Sequence, residues 1–130
     1  MRQRVMVVDD DHLVADTLRM VFLANGFDSE ACYSAAEALG RMKSFAPELM
    51  LCDVSMPGQT GLELAAAITR EMPKMHVIML TAYLTSADSI VLEALRTKRP
   101  LKLLNKPCPP EVLLKEVEET LAIQRFYAAS

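Results

Sequence analysis

Val5-Met6-Val7-Val8-Asp9-Asp10-Asp11 is the stretch on which the fold turns. An apolar run that stops on carboxylates reads as a buried strand ending at a polar edge. The pattern recurs: Leu49-Met50-Leu51-Cys52 ends on Asp53, and Val77-Ile78-Met79-Leu80 ends on Thr81. Leu101-Lys102-Leu103-Leu104 is followed, past Asn105, by Lys106, and Phe27 to Tyr33 is a fifth, more polar run. Helical patterns fill the intervals. Strands alternating with helices specify repeated βα units, hence a parallel sheet covered on both faces and joined by right-handed crossovers. In such open sheets ligands gather outside the carboxyl ends of the strands, so these scattered polar positions are expected at one site.

The first predicted helix starts in the Asp9-Asp10-Asp11 cluster, where one carboxylate is expected to cap it. It buries Val14, Leu18, Val21 and Phe22 and ends at Gly26. The second and third open on capping boxes, Ser34 with Glu37 and Thr60 with Glu63, and the third stops before Pro73. The fourth has Thr85 and Asp88 at cap spacing. A fifth begins at Pro109-Pro110, where a missing N–H costs nothing, and presents Leu113, Val117 and Leu121. Tyr127 to Ser130 reads as a fraying tail. Central parallel strands are apolar on both faces, so Asp28, Ser29 and Glu30 put the second strand at one edge and Lys102 puts the fifth at the other. The expected fold is α/β, a doubly wound five-stranded parallel sheet of order 2-1-3-4-5 with five helices. Its switch point, between strands one and three, makes Asp9 and Asp10 neighbours of Asp53. Residues 1–130 read as a single domain with its core over about 3–124.

Bulk properties narrow the function. A net charge of −3 over 130 residues gives no basic excess to neutralise phosphates, so direct nucleic-acid binding by this domain is not expected. The apolar run after Arg4 stops at Asp9, too short for a signal peptide, and no window suits a membrane span. Cys32, Cys52 and Cys108 are odd in number and lack C-x-x-C spacing, which points to reduced thiols in a cytoplasmic setting rather than to disulfides or sulfur-bound metal.

Three carboxylates within a few ångströms of one another must be neutralised, because each ionised pair at 4 Å costs on the order of 4 kcal/mol at an effective dielectric of about 20. Either their pKa values rise or a divalent cation sits among them. An all-oxygen cluster suits Mg²⁺ or Mn²⁺, and magnesium prefers to bridge a carboxylate to a phosphate oxygen. Asp53 stands alone at a central strand end, before Val54-Ser55-Met56-Pro57-Gly58, and is the candidate aspartyl nucleophile for a phosphoryl group. Lys106 and Thr81 would receive the phosphoryl charge, and Ala82 is small enough to leave the approach open. Lys106-Pro107 is an X-Pro bond where a cis peptide would fix the direction of the lysine.

In these motifs (Val7-Val8-Asp9-Asp10, Asp53 with Met56-Pro57-Gly58, Val77 to Ala82, and Lys106-Pro107) the chain resembles a response-regulator receiver domain of two-component signalling, over nearly its whole length. The resemblance implies the fold and strand order of the chemotaxis-type regulators and a bacterial cytoplasmic protein. It also implies that Asp53 accepts phosphate from a sensor histidine kinase, a phosphotransfer protein or a small acyl phosphate. Asp9, Asp10, Asp53 and the backbone carbonyl of Ser55 would hold Mg²⁺, while Thr81 and Lys106 bind the phosphoryl oxygens. Such a protein is a self-phosphorylating and autodephosphorylating switch rather than a turnover enzyme, acting on an output partner or domain or through a phosphorylation-linked homodimer. Ser55 and Tyr83 would flank the phosphate. The chain departs from the family at Leu103, where members often carry Tyr or Phe, and at Arg96-Thr97-Lys98-Arg99-Pro100, where a Gly-Ala turn is common.

Other readings stand beside this one. Asp9-x-Asp11 resembles the D-x-D start of haloacid-dehalogenase-like phosphatases, although that leaves Asp53 without a role. Leu103 and the basic turn suit a phosphorylation-independent interaction module. The methionines read as core filling, His12 as a solvent-facing first-turn residue and His76 as structural. The basic residues Arg96, Lys98, Arg99 and Lys102 read as a solvated helix terminus, with a docking face as the alternative. No effector follows the fifth predicted helix, which suits a stand-alone receiver or a piece of a longer chain.

Overall fold

Successive side chains of a strand point to opposite faces, and here that alternation sorts the core into two layers. The computed structural model describes residues 2–54, 56, 61–82 and 101–129, with side chains of the last helix through 122. In chain order its elements are β1 (Arg4–Val8), α1 (His12–Ala24), β2 (Asp28–Cys32), α2 (Ala35–Phe45), β3 (Leu49–Asp53), α3 (Gly61–Glu71), β4 (His76–Thr81), β5 (Lys102–Asn105) and α4 (Pro110–Ala129). The sheet is parallel, in the order β2-β1-β3-β4-β5 expected from strand polarity. The helix expected around Thr85 and the basic turn at 96–100 lie outside the described residues.

Val5, Val7, Leu49, Leu51, Ile78 and Leu80 face Leu18 and Phe22 of α1 and Leu113, Val117 and Leu121 of α4. Met6, Val8, Met50, Cys52, Val77 and Met79 face α2 and α3 on the other side. That second layer also holds Met42, Met56 and Met75, so the unbranched, adaptable side chains gather on one side of the sheet. The expectation that methionine fills the core is met there, while Met20 is exposed. Val8 is in register with Cys32 on one side and Cys52 on the other. The two cysteines are thus two strand spacings apart, roughly 9–10 Å, beyond disulfide reach. All three cysteines are free.

Helix ends follow the sequence signals in most cases. Asp11 is the N-cap of α1, its carboxylate accepting the N–H groups of Leu13 and Val14. Ser34 caps α2 by accepting the Glu37 N–H, while the Glu37 carboxylate reaches back to the N–H of Tyr33 rather than to that of Ser34. Pro110 is the first residue of α4, and the Pro109 carbonyl accepts from Val112 and Leu113. One expectation is corrected: α4 runs on to Ala129, through the segment read as a fraying tail from Tyr127. Ala128 and Ala129 are strong helix formers, and no Gly or Pro intervenes to stop the helix. Thr60, the expected cap of α3, lies outside the described residues.

Helix α2 ends on an alanine in the left-handed region, Ala46 at φ 51° and ψ 60°, with its N–H on the Met42 carbonyl. An L side chain is disfavoured there by roughly 1–2 kcal/mol, part of which glycine gives back in unfolded-state entropy. Ala46→Gly is expected to stabilise the protein by up to about 1 kcal/mol, read as a higher urea midpoint at unchanged slope. An unchanged or lower midpoint would contradict it.

Candidate acidic site at the carboxyl edge

The strand ends converge as the topology requires. Asp9 directly follows β1, Asp53 closes β3, Thr81 closes β4 and Lys106 directly follows β5. The ladder ties these ends together, with Asp53 opposite Leu80 and Thr81 opposite Asn105. Two further bonds fasten the edge, Val54 N–H to the Leu80 carbonyl at 2.9 Å and Lys106 N–H to the Thr81 carbonyl at 2.8 Å. Asp9, Asp53 and Thr81 are buried, whereas Asp10 and Ala82 are exposed.

Asp9, Asp10 and Asp53 each offer a carboxylate oxygen within 4.8 Å of the others. Lys106 Nζ reaches into this group, donating to Asp53 Oδ2 at 2.9 Å and to Asp9 Oδ2 at 3.3 Å. The other Asp9 oxygen accepts the Asp11 N–H at 2.9 Å. Burial pushes the Asp9 carboxyl above its usual range, and the Asp53 charge adds to that, against the lowering effects of the Asp11 N–H and of Lys106. Burial alone would lower Lys106, but its hydrogen bond to Asp53 and the charges of Asp53 and Asp9 outweigh it and hold the ammonium above its usual value. The Lys106-Pro107 peptide is cis, as its place at a strand end suggested. Beside Lys106, Val14, Leu18, Leu80, Pro107 and Leu113 line an apolar cleft of about 370 Å³ between α1 and α4. Low-dielectric walls of this kind strengthen the charge interactions they border. The donor set fits a hard divalent cation: three carboxylates, no sulfur or imidazole, and a net charge that one ammonium does not cancel.

Of the residues named from sequence, Asp9, Asp10, Asp53, Thr81, Ala82, Lys106 and Pro107 come together at this edge. Asp11 does not join the trio, because its carboxylate is committed to capping α1, and the D-x-D reading loses its second acid. Ser55 and Tyr83 lie outside the described residues. Leu103 is half-buried and packs against the α2/α3 layer. Met56, three residues past Asp53, is buried in that same layer.

Sequence reading missed Gly61. The first residue of α3 lies so close to the end of β3 that a Cβ there would stand 1.9 Å from the Asp53 carbonyl oxygen and 2.9 Å from its carbon. The Gly61 N–H meanwhile donates to the Val54 carbonyl at 3.0 Å. The available signal was a glycine at the first position of a predicted helix, where a better helix former is usual. It also missed the stack of His12 on Tyr33.

A family model described as the response regulator receiver domain matches residues 5–118. The DNA-binding response regulator MtrA of Mycolicibacterium smegmatis is 33% identical over 91 residues, covering 70% of this chain and 40% of that protein. MtrA of Mycobacterium tuberculosis H37Rv gives the same figures, so the chain spans about 40% of the length of these curated relatives. Among solved structures, a CheY-like response regulator receiver domain protein from Methanospirillum hungatei JF-1 superposes with a TM-score of 0.88 at 26% identity, over 98% of this chain and 99% of that one. Chemotaxis protein CheY4 of Vibrio cholerae shares the fold, with a TM-score of 0.81 at 24% identity over 92% and 98% of the two chains.

Gly61→Ala is expected to destabilise the protein by about 2 kcal/mol or more, because the obstructing atoms are backbone and cannot rotate away. Equal urea midpoints for variant and parent would contradict that close approach. A second expectation follows from Asp9. A carboxyl whose folded pKa lies above its unfolded value holds its proton more tightly when folded, so its contribution falls as pH rises through the interval above 3.8. In chelator, stability of the parent relative to Asp9→Asn should therefore decline from pH 3.5 upward; a difference that grows with pH would contradict this.

Proposed function

This chain belongs to the response regulator receiver domain family of two-component systems, and on that premise we propose that it is a phosphorylation switch whose acceptor is Asp53. The observation that carries the proposal is the convergence of Asp9, Asp10 and Asp53 around the ammonium of Lys106 at the carboxyl edge of the central strands. In this reading Asp9, Asp10, Asp53 and, by family likeness, the Ser55 carbonyl would hold Mg²⁺ or Mn²⁺, which would supply charge that neutralises the carboxylates and an incoming phosphoryl group.

The acceptor oxygen of Asp53 forms the new O–P bond in line with the bond that breaks. That bond is P–N when the donor is the phosphohistidine of a sensor kinase or phosphotransfer protein, and P–O when it is a small acyl phosphate. Its electron pair leaves with the donor. Lys106 transfers its hydrogen bonds from carboxylate to phosphoryl oxygens, and the Thr81 hydroxyl joins it there. Because Asp53 keeps the group as an aspartyl phosphate, the chain is read as a switch and not as a turnover enzyme. Among the described residues no helix is long and apolar enough to cross a membrane. A cytoplasmic place beside a histidine kinase fits the family. MtrA is described as DNA-binding; for this chain, output through a further domain, a separate partner or a phosphorylation-linked homodimer is part of the proposal, while nucleic-acid contact by the receiver itself is not.

A second reading, docking that ignores phosphorylation, draws on Leu103, an aliphatic residue at the family's aromatic switch position, held against the α2/α3 layer. Radiolabelled acetyl phosphate separates the readings. The parent should take up label in Mg²⁺ and none in chelator, and Asp53→Ala should take up none. Equal labelling of Asp53→Ala, or labelling indifferent to chelator, would sink the switch proposal.

A further inference from the structure

On the β2 side of the acidic trio, an aromatic contact joins the start of α1 to the loop after β2. His12, the first residue of α1, stacks on Tyr33, the first residue past β2, with ring centroids 3.7 Å apart and planes 12° from parallel. One turn along α1, Asp16 Oδ1 accepts the Tyr33 hydroxyl at 2.5 Å. His12 and Asp16 are four residues apart and share one side of the helix, so one meets the ring face and the other the phenol oxygen. The Tyr33 N–H donates to Glu37 Oε2 at 3.2 Å, which ties the same residue to α2. An exposed first-turn histidine and an interloop tyrosine have thereby given up their rotamer freedom.

Asp10 lies in the turn between Asp9 and His12. Asp9 is held by the Asp11 N–H and by Lys106, and Asp53 by Lys106. Among the described residues no hydrogen bond or ion pair holds the exposed Asp10 carboxylate, so the backbone of the β1–α1 turn sets its aim. That turn is gripped on both sides of Asp10 by consecutive residues of the neighbouring strand end. Asp9 N–H donates to the Cys32 carbonyl at 3.0 Å, and His12 stacks on Tyr33.

We propose that His12 and Tyr33 form an aromatic clasp that positions Asp10 for divalent-cation binding. The inference rests on the reading of the trio as a cation site, and both are positioning residues that touch neither cation nor phosphoryl group. The hydroxyl bond from Tyr33 to Asp16 holds the outer end of the clasp against α1.

The full chain is titrated with Mg²⁺ by calorimetry, and amide hydrogen exchange is followed in chelator. His12→Ala and Tyr33→Ala should each weaken Mg²⁺ binding by about three- to tenfold, the worth of one aromatic pair. The double variant should lose no more than either single one. In chelator the amides of Asp10, Asp11 and His12 should exchange faster while those of β3 and β4 do not change. His12→Phe, which keeps a ring for the stack, should return affinity to within about twofold of the parent. Parent-like Mg²⁺ affinity in both alanine variants, additive losses in the double variant, or no rescue by His12→Phe would overturn the clasp and leave the cation site standing. A parent that binds no Mg²⁺ would overturn the cation site and the clasp with it.

Discussion

Like charges at one sheet edge are the constraint on which the rest of this structure depends. Asp9, Asp10 and Asp53 stand close enough to share a cation, and the Lys106 ammonium bridges two of them. Each element of the fold has a part in that meeting. β1 and β3 must be adjacent and parallel to bring Asp9 beside Asp53, and β5 must end level with them for Lys106 to reach across. The order β2-β1-β3-β4-β5 does this, and the two apolar layers hold it rigid. A scaffold this tightly packed lets a surface-proximal carboxylate cluster persist despite its repulsion, because the cost is spread over many buried contacts.

The two layers are built of different material, and the site touches both. On the α1/α4 side, the branched side chains of Val14, Leu18, Leu80 and Leu113 line the cleft beside Lys106. On the α2/α3 side six methionines are buried, Met56 among them. Flexible thioethers accommodate displacement with little cost. Gly61 has no such tolerance, since even a Cβ there would collide with the Asp53 carbonyl.

Much of this was legible in the chain because strand polarity is a local property. Asp28 to Glu30 and Lys102 marked the edges, continuous apolar runs marked the centre, and the order followed. The trio was legible for the same reason, as each acid ends or follows a strand whose place was known. What escaped were contacts that depend on the path of the backbone between elements. Nothing in the spacing of His12 and Tyr33 announces that their rings meet, because it depends on the angle at which α1 leaves β1. The close approach of Gly61 to Asp53 depends likewise on how α3 enters the sheet. Helix α4 outran its expected end because the sequence reading weighted position near the terminus over the helix propensity of Ala128 and Ala129.

What has been proposed for this edge requires the strand-end carboxylates to form one divalent-cation site. Paramagnetic Mn²⁺, added at substoichiometric amounts while amide NMR signals are recorded, tests it without any phosphodonor. Selective broadening is expected at Asp9 to Asp11, Asp53 and Val54, Thr81 and Ala82, and Lys106, with Gln3, Glu48 and Met75 at the opposite edge unaffected. Broadening that centres elsewhere, or that survives Asp9→Asn combined with Asp53→Asn, would contradict it.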